Sequence, residues 1–281
     1  MNHRKNLLII AVISFLVVSC KSYYETLLNS SDTDLRYEGA FDYYNKGKFN
    51  KASELFEGLI LVMQGTERED TVQFYTALSN YKFGDYTTAE SGFAKFIEVF
   101  PRSPFTEEAK YLRIKCLYEG TFRYELDPSP TKRALSIISE FMYENPDSPY
   151  YSTCRKYTTE LLERLYKKSF ESAKLYYKLE DYKAAHYALK NVLKENADNI
   201  YREDILYYTA MAAYKYALNS VTEKQKERYL VFVDEYYNFA GEFPESPYKK
   251  ELDGLFKKVS KNLKLDKDNK LNITNNNGEQ K

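Results

Sequence analysis

The chain has 281 residues, which is enough for one elongated repeat domain or two small globular domains. Its 41 basic and 41 acidic residues balance, and because nucleic-acid-binding proteins usually carry a basic excess, this argues against a nucleic-acid partner. Glycine (10 residues) and proline (8) are scarce, so the composition favours long helices over a turn-rich β fold.

The first 19 residues have the pattern of a lipoprotein signal peptide. Basic residues at Arg4 and Lys5 precede an apolar run over residues 7–18, which is shorter than the roughly 20 residues that a membrane-spanning helix needs. The run ends in Val-Val-Ser before Cys20, and this resembles the bacterial lipobox, in which the cysteine receives the lipid. We therefore predict a signal peptide over residues 1–19, acylation of Cys20, and a lipidated tether over residues 20–33.

A phrase of the form Pro-x-Ser-Pro-aromatic recurs at residues 101–105, 146–150 and 244–248. Proline ends one helix, and the Ser-Pro pair caps the next helix and fills its first turn. The interval between the second and third phrases leaves room for two repeat units joined by a phrase that lacks proline. The phrases therefore mark the junctions between helical repeats.

Residues upstream of these phrases fall on one common frame. The equivalent positions are Ala40, Ala77 and Ala173; Tyr44, Tyr81 and Tyr177; Phe49, Tyr86 and Tyr182; and Ala52, Ala89 and Ala185. Gly47 and Gly84 lie at the turn between the two helices of a unit, and the pattern is similar to the tetratricopeptide repeat, whose period is about 34 residues. It predicts an all-α fold, a tetratricopeptide-repeat superhelix of about five helix-turn-helix units over residues 34–263, with a concave inner face.

Three segments depart from the regular repeat. Residues 120–131 form an insert between the helices of the third unit, and residues 151–178 carry helical periodicity throughout, which predicts a single long helix. Residues 264–281 are polar and rich in asparagine, so we predict a disordered tail.

Residues that could form a catalytic or metal site are few. Histidine occurs only at His3 and His186, so a two-histidine metal motif is excluded and His186 is interpreted as a helix-face residue. Glycine-rich phosphate loops are absent from the sequence, and Cys116 and Cys154 are predicted to be buried free thiols. We expect no enzyme activity, no metal and no cofactor, although the sequence does not exclude a glycosidase-type carboxylate pair.

Aromatic residues on the first helix of the first two units offer a binding surface. These positions are Tyr37, Phe41 and Tyr44 in the first unit and Phe74, Leu78 and Tyr81 in the second. In tetratricopeptide repeats the first helix lines the concave side, so the six residues predict a groove for an extended polypeptide. The alternative is that the same side chains fill the core of the repeats.

The lipobox, the repeats and the joint at residues 125–135 (ELDPSPTKRAL), followed by residues 138–151 (ISEFMYENPDSPYY), together resemble the BamD family of outer-membrane assembly lipoproteins. That family has a joint of the form Asp-Gln-x-x-Thr. Asp127 and Thr131 match it, whereas Pro128 replaces the glutamine. The resemblance extends from Cys20 to about residue 261.

The resemblance implies a role in assembling outer-membrane β-barrels. BamD-like proteins lie on the periplasmic face of the outer membrane, anchored by their lipid. Their C-terminal repeats contact the POTRA domains of the barrel-forming BamA subunit. Their N-terminal repeats recognise the C-terminal segment of unfolded outer-membrane β-barrel proteins, which is extended and ends in an aromatic residue.

Two other kinds of binding protein compete with this role. One is a periplasmic tetratricopeptide-repeat lipoprotein that acts as an adaptor for envelope or cell-wall coordination, and it stays open. The other is a glycan-binding repeat lipoprotein of the SusD type. Such proteins are much longer and use tryptophan platforms for sugars, so the length of this chain and its lack of tryptophan argue against that class.

Overall fold

A computed structural model of the chain describes residues 22–263, which form twelve α-helices and no strand. The predicted signal peptide, the acylated Cys20 and the predicted tail at residues 264–281 lie outside this range. The helices are α1 (Tyr23–Leu28), α2 (Thr33–Asn45), α3 (Phe49–Glu57), α4 (Glu69–Phe83), α5 (Tyr86–Val99), α6 (Thr106–Glu119), α7 (Ser129–Glu144), α8 (Tyr151–Lys178), α9 (Tyr182–Glu195), α10 (Arg202–Leu218), α11 (Thr222–Glu242) and α12 (Lys249–Leu263).

The helices follow one another as hairpins, and α2/α3, α4/α5, α6/α7, α8/α9 and α10/α11 correspond to the five predicted units. Neighbouring helices pack against each other from α2 to α7 and again from α9 to α12, and α4 also contacts α6, the first helix of the next unit. The predicted all-α repeat class is confirmed for the described residues. The single long helix predicted over residues 151–178 is α8.

The described chain divides into two compact units. The first contains the residues up to Phe122 together with Pro128–Thr158, and the second contains Arg123–Asp127 together with the residues from Thr159 onward. The sequence predicts one repeat domain over residues 34–263, and the boundary between the two units falls within α8. Each unit has its own buried apolar clusters.

In the first, second and fourth units, the turn between the two helices contains a residue in the left-handed region. Gly47 has φ of 71° and Gly84 has φ of 94°, and the equivalent position in the fourth unit is Glu180, with φ of 61°. Among the described residues nothing lies within 4 Å of a Cβ built on either glycine, so it is the backbone conformation alone that favours glycine there. Glu180 therefore carries conformational strain that the glycines avoid.

The recurring phrase builds the same junction each time. The serine side chain accepts a hydrogen bond from the backbone N–H two residues later, at 3.3 Å for Ser103, 3.2 Å for Ser148 and 3.1 Å for Ser246. Asn199 does the same at 2.9 Å in the predicted junction without proline. The four junctions are thus one structure encoded by different residues.

An aromatic ring from each junction stacks on the first helix of the preceding unit. The stacked pairs, with the distance between ring centroids, are Phe105 on Phe74 (4.6 Å), Tyr150 on Tyr111 (4.0 Å), Tyr201 on Phe170 (5.4 Å) and Tyr248 on Tyr207 (4.1 Å). Tyr37 occupies the equivalent position in the first unit, and its ring lies 4.7 Å beneath the guanidinium of Arg68. Each pair ties one repeat to the next through a buried or half-buried aromatic contact.

The insert of the third unit is held by one lysine of α8. The Nζ atom of Lys168 donates to the backbone oxygens of Tyr124 (3.2 Å), Glu125 (3.3 Å) and Leu126 (2.8 Å), all within the second compact unit. Lys167 lies over the Tyr124 ring at 4.5 Å. These contacts give the insert a fixed conformation without secondary structure.

The two described cysteines agree with the sequence prediction. Cys116 and Cys154 are buried free thiols, as predicted, and burial raises the pKa of Cys116 to about 12 and that of Cys154 to about 11. Within residues 22–263, no helix combines the length and apolar character needed to cross a bilayer.

A buried carboxylate joins α9 to α11. Glu235 on α11 is 4% exposed, and its Oε1 atom contacts His186 Nε2 at 2.9 Å and accepts a hydrogen bond from Lys190 Nζ at 2.7 Å. Burial alone would raise the pKa of Glu235, but its hydrogen bonds with His186 and Lys190 outweigh this and lower the pKa to about 2. His186, interpreted from sequence as a helix-face residue, is instead buried because it faces this carboxylate.

Replacing Glu180 with glycine is expected to stabilise the protein. The substitution removes the strain of a left-handed non-glycine residue, so the free energy of unfolding should rise by about 1 kcal/mol in urea denaturation followed by circular dichroism. Gly84→Ala is the matched control and should lower it by a similar amount, about 1 kcal/mol. A Glu180→Gly protein less stable than the parent would contradict the assignment of the turn.

The Glu235 contacts predict acid-sensitive stability. Because the folded pKa of about 2 lies below the ordinary 4.5, the carboxylate stabilises the fold above pH 4.5, and this contribution is lost as the pH falls towards 2. Glu235→Gln should lower the free energy of unfolding at pH 7 by about 3 kcal/mol, and the difference from the parent should shrink near pH 3. Glu227→Gln, an exposed change on the same helix, should have little effect at either pH. A pH-independent difference for Glu235→Gln would contradict this account.

Candidate functional site

Two of the six residues predicted to line a groove belong to the core instead. Phe74 is 2% exposed and Leu78 is 7% exposed, and both lie in an apolar cluster with residues of α5 and α6. Phe74 is covered by the ring of Phe105 from the next junction. The prediction fails at these two positions because the following repeat packs over this face of α4.

The other four residues are half-buried and border the core. Phe41 and Tyr44 on α2 both contact Tyr75 of α4, with ring centroids 4.7 Å and 5.2 Å apart. Tyr37 contacts Phe41 at 5.0 Å. These rings pack edge to face, so each has one side in the core and part of its surface accessible.

Tyr81 belongs to a larger cluster of tyrosines around one lysine. Lys115 Nζ lies 5.2 Å from the centre of the Tyr81 ring and 5.8 Å from that of Tyr111. Tyr157 stacks on Tyr118 at 4.0 Å and interacts electrostatically with Lys115. We call these residues the tyrosine–lysine surface: Tyr81, Tyr111, Lys115, Tyr118 and Tyr157. All five are half-buried, and all belong to the first compact unit.

The surroundings of Lys115 and Tyr157 keep these two groups in their ordinary ionic forms. A hydrogen bond with Tyr81 raises the pKa of Lys115, so the ammonium group is charged at neutral pH. Burial raises the pKa of Tyr157 to about 12, so its hydroxyl stays protonated. A cation surrounded by phenol rings and hydroxyls can bind a carboxylate and a neighbouring aromatic side chain together.

The sequence contains only part of the signal for this surface. Tyr118 stands on the repeat frame at the position of Tyr81, and Tyr111 stands at that of Phe74, so the frame is sufficient to find both. Lys115 cannot be singled out in this way, because nothing in the spacing distinguishes it from the many exposed lysines. Its importance follows from the rings that surround it.

A second accessible surface lies on the second compact unit. An open groove of about 590 Å³ runs between α8 and α9, lined by Ala188 and Val192 among others. At its edge the apolar side chains of Leu175, Tyr176 and Leu179 are 52%, 46% and 67% exposed. We call these five residues the α8–α9 groove. Because α8 buries Phe170 in the core while Leu175 and Leu179 are exposed, this stretch of the helix is apolar on two sides.

The described residues include only one histidine and two cysteines. Within residues 22–263, no group of three or more histidine, cysteine, aspartate or glutamate side chains is arranged to hold a metal ion. The one histidine in that range is engaged by Glu235. The notable surfaces are aromatic, apolar and open.

A family match and a sequence relative agree with the resemblance seen in the sequence. A family described as YfiO, outer membrane lipoprotein, matches residues 29–230. The "Outer membrane protein assembly factor BamD" of Caulobacter vibrioides is 22% identical over 209 residues, which cover 74% of this chain and 67% of that protein. A thermophilic TPR protein of Thermus thermophilus aligns with 81% of this chain and 98% of its own, at 15% identity and a TM-score of 0.32.

The family match covers most of the described helices, from the end of α1 into α11. The chain therefore belongs to the YfiO family of outer membrane lipoproteins.

Proposed function

We propose that this protein is an acylated scaffold of the machinery that folds and inserts outer-membrane β-barrels. In this proposal Cys20 carries the lipid, and the repeats lie on the periplasmic face of the outer membrane. The first compact unit binds the C-terminal segment of unfolded β-barrel proteins, and the second compact unit binds the barrel-forming subunit. The name of the Caulobacter relative, an outer membrane protein assembly factor, supports this general role.

The observation that carries substrate binding is the position of Lys115 among tyrosines. An extended segment that ends in an aromatic residue presents a ring and a terminal carboxylate close together. The tyrosine–lysine surface offers Lys115 for the carboxylate and the rings of Tyr81 and Tyr111 for the aromatic side chain. Charge-assisted hydrogen bonds and ring contacts would then act at neighbouring points on the same ligand.

The neighbouring rings extend this surface towards the first repeat. Burial raises the pKa of Tyr44, and the nearby Tyr75 and the Glu108 carboxylate add to this effect. Tyr75 also links α2 to α4. Half-buried tyrosines lose little conformational entropy on binding, because packing already restricts their rotamers. We propose that Tyr37, Phe41, Tyr44 and Tyr81 contact the peptide upstream of its end, and that Phe74 and Leu78 support them from the core.

The α8–α9 groove is our candidate for the barrel-forming subunit. Leu175 and Leu179 present apolar side chains to solvent at one edge of an open groove, and a surface of this kind usually marks a protein contact. The groove carries one charged group, Glu195, at its rim. A folded partner domain with an apolar patch and a nearby cation would complement it.

Removing the charge of Lys115 is expected to weaken binding of the substrate peptide. Lys115→Met keeps roughly the length of the side chain but removes a charge-assisted hydrogen bond. The Kd for a β-barrel C-terminal peptide, measured by fluorescence anisotropy, should therefore rise about tenfold. An amidated peptide should bind the parent protein more weakly and should bind Lys115→Met no worse than the free acid does.

The matched control is Lys82→Met, which removes an exposed charge from α4. It should leave the affinity for both peptides unchanged, and circular dichroism should show that both variants retain their helix content. Equal affinity of Lys115→Met and the parent for the free-acid peptide would contradict the role of Lys115.

Placing negative charges in the α8–α9 groove is expected to abolish binding of the barrel-forming subunit. Leu175→Glu combined with Leu179→Glu places two carboxylates where the partner would bury apolar side chains, and this should abolish co-purification from detergent-solubilised membranes. The control is Leu61→Glu, at a position 83% exposed in the first compact unit, and this variant should still co-purify with the partner. Co-purification of the double variant at the level of the parent would exclude this groove as the contact.

A further inference from the structure

The first described helix is fixed to the first repeat. Leu27 of α1 is completely buried in the cluster formed by α2 and α3. The Tyr24 ring contacts Tyr43 of α2 with centroids 5.3 Å apart, and its hydroxyl donates a hydrogen bond to Glu54 of α3. A capping box between Ser22 and Glu25 starts the helix. The chain is therefore held firmly from its first described residue.

This attachment leaves very little chain between the repeat and the predicted lipid. Only Lys21 separates Cys20 from Ser22, the N-cap of α1. Two residues span at most about 7 Å even when fully extended. If Cys20 is acylated, as the proposed function holds and as this inference requires, the start of α1 lies at the level of the lipid headgroups.

The surface around the start of α1 is aromatic and basic. Tyr23 is 55% exposed, and Lys46 lies near enough to interact with it electrostatically. Lys51 Nζ stands 4.6 Å from the centre of the Tyr24 ring, and the Nζ atoms of Lys48 and Lys51 each stand 5.7 Å from that of Tyr43. We call Tyr23, Lys46, Lys48 and Lys51 the anchor-side surface.

Three carboxylates of this region already have partners. Asp42 pairs with Lys46 at 2.6 Å, Glu54 accepts from Tyr24, and Glu25 accepts from the backbone N–H of Ser22. Lys48 and Lys51 rest on aromatic rings and, within residues 22–263, have no carboxylate within 4.0 Å. Their ammonium groups are therefore available for an external anion.

We propose that the anchor-side surface lies on the membrane itself and binds the phosphate groups of lipid headgroups through Lys48 and Lys51. Tyrosine favours the boundary between headgroups and acyl chains, which suits Tyr23 beside the lipid anchor. Lysines near a membrane surface are attracted to its phosphates, while their aliphatic stems cover apolar groups. The lipid and this surface together would fix the orientation of the first repeat on the membrane. A long flexible tether, by contrast, would let the repeat rotate freely.

A single tryptophan can report this contact, because the chain has none of its own. The acylated protein carrying Tyr23→Trp is reconstituted into vesicles that contain lipids brominated near the headgroup. We expect strong quenching at position 23. The matched reporter is Tyr143→Trp on α7, at a position 89% exposed in the same compact unit, where we expect almost no quenching.

Charge reversal tests the role of the lysines in the Tyr23→Trp background. Lys48→Glu combined with Lys51→Glu should reduce quenching about threefold or more in vesicles with phosphatidylglycerol, because each lysine adds favourable electrostatic energy near an anionic surface. The control pair, Lys257→Glu and Lys258→Glu on α12, should leave quenching unchanged. The same effect in pure phosphatidylcholine would show that zwitterionic headgroup phosphates suffice, and an effect only with phosphatidylglycerol would show that net anionic lipid is the ligand.

The outcomes separate this inference from the anchoring on which it rests. Flotation of the protein with vesicles, together with a lipidated Cys20 peptide in mass spectrometry, establishes the anchor independently. Suppose that the protein floats while the tryptophan at position 23 is unquenched, or is quenched no more than the tryptophan at position 143. Either result would overturn the membrane contact while leaving the anchor intact. Failure to float would overturn the anchor and this inference with it.

Discussion

The stack of an aromatic ring from each junction on the first helix of the preceding repeat is the contact on which the architecture depends. A helical hairpin cannot bury its apolar face by itself, so each unit needs its neighbour to cover it. Phe105 on Phe74 and Tyr248 on Tyr207 show how this happens, because the residue that ends the junction also closes the core of the previous unit. The Pro-x-Ser-Pro-aromatic phrase is therefore both a helix start signal and a packing element.

This coupling between repeats explains the distribution of the functional surfaces. Where the next unit covers the first helix, the side chains become core, as at Phe74. Where the helix extends beyond the covered stretch, as at Tyr81, aromatic groups reach solvent beside Lys115. In α8 the same helix supplies Phe170 to the interior and Leu179 to the exterior. The two surfaces that we propose for binding thus lie at positions that the repeat frame leaves uncovered.

The sequence predicts the repeat frame well because that frame is set by local rules. Proline, serine and glycine mark helix ends through backbone geometry, and the frame even locates Glu180 as a non-glycine residue at a glycine position. Periodicity, however, shows only that a face is apolar, and it does not show which neighbouring element covers that face. This is why periodicity places Phe74 in a groove and misses Lys115, whose proposed role rests on contacts with tyrosines of separate helices.

The central claim is that the two compact units bind different partners. The first binds an unfolded β-barrel segment at the tyrosine–lysine surface, and the second binds the barrel-forming subunit at the α8–α9 groove. Photo-crosslinking amino acids placed at Tyr118 and Tyr176 in native membranes, with mass-spectrometric identification of the products, test it most directly. The account predicts C-terminal peptides of diverse outer-membrane β-barrel proteins at position 118 and one barrel-forming subunit at position 176. Cell-wall or other envelope proteins at both positions, with no β-barrel protein at either, would contradict it.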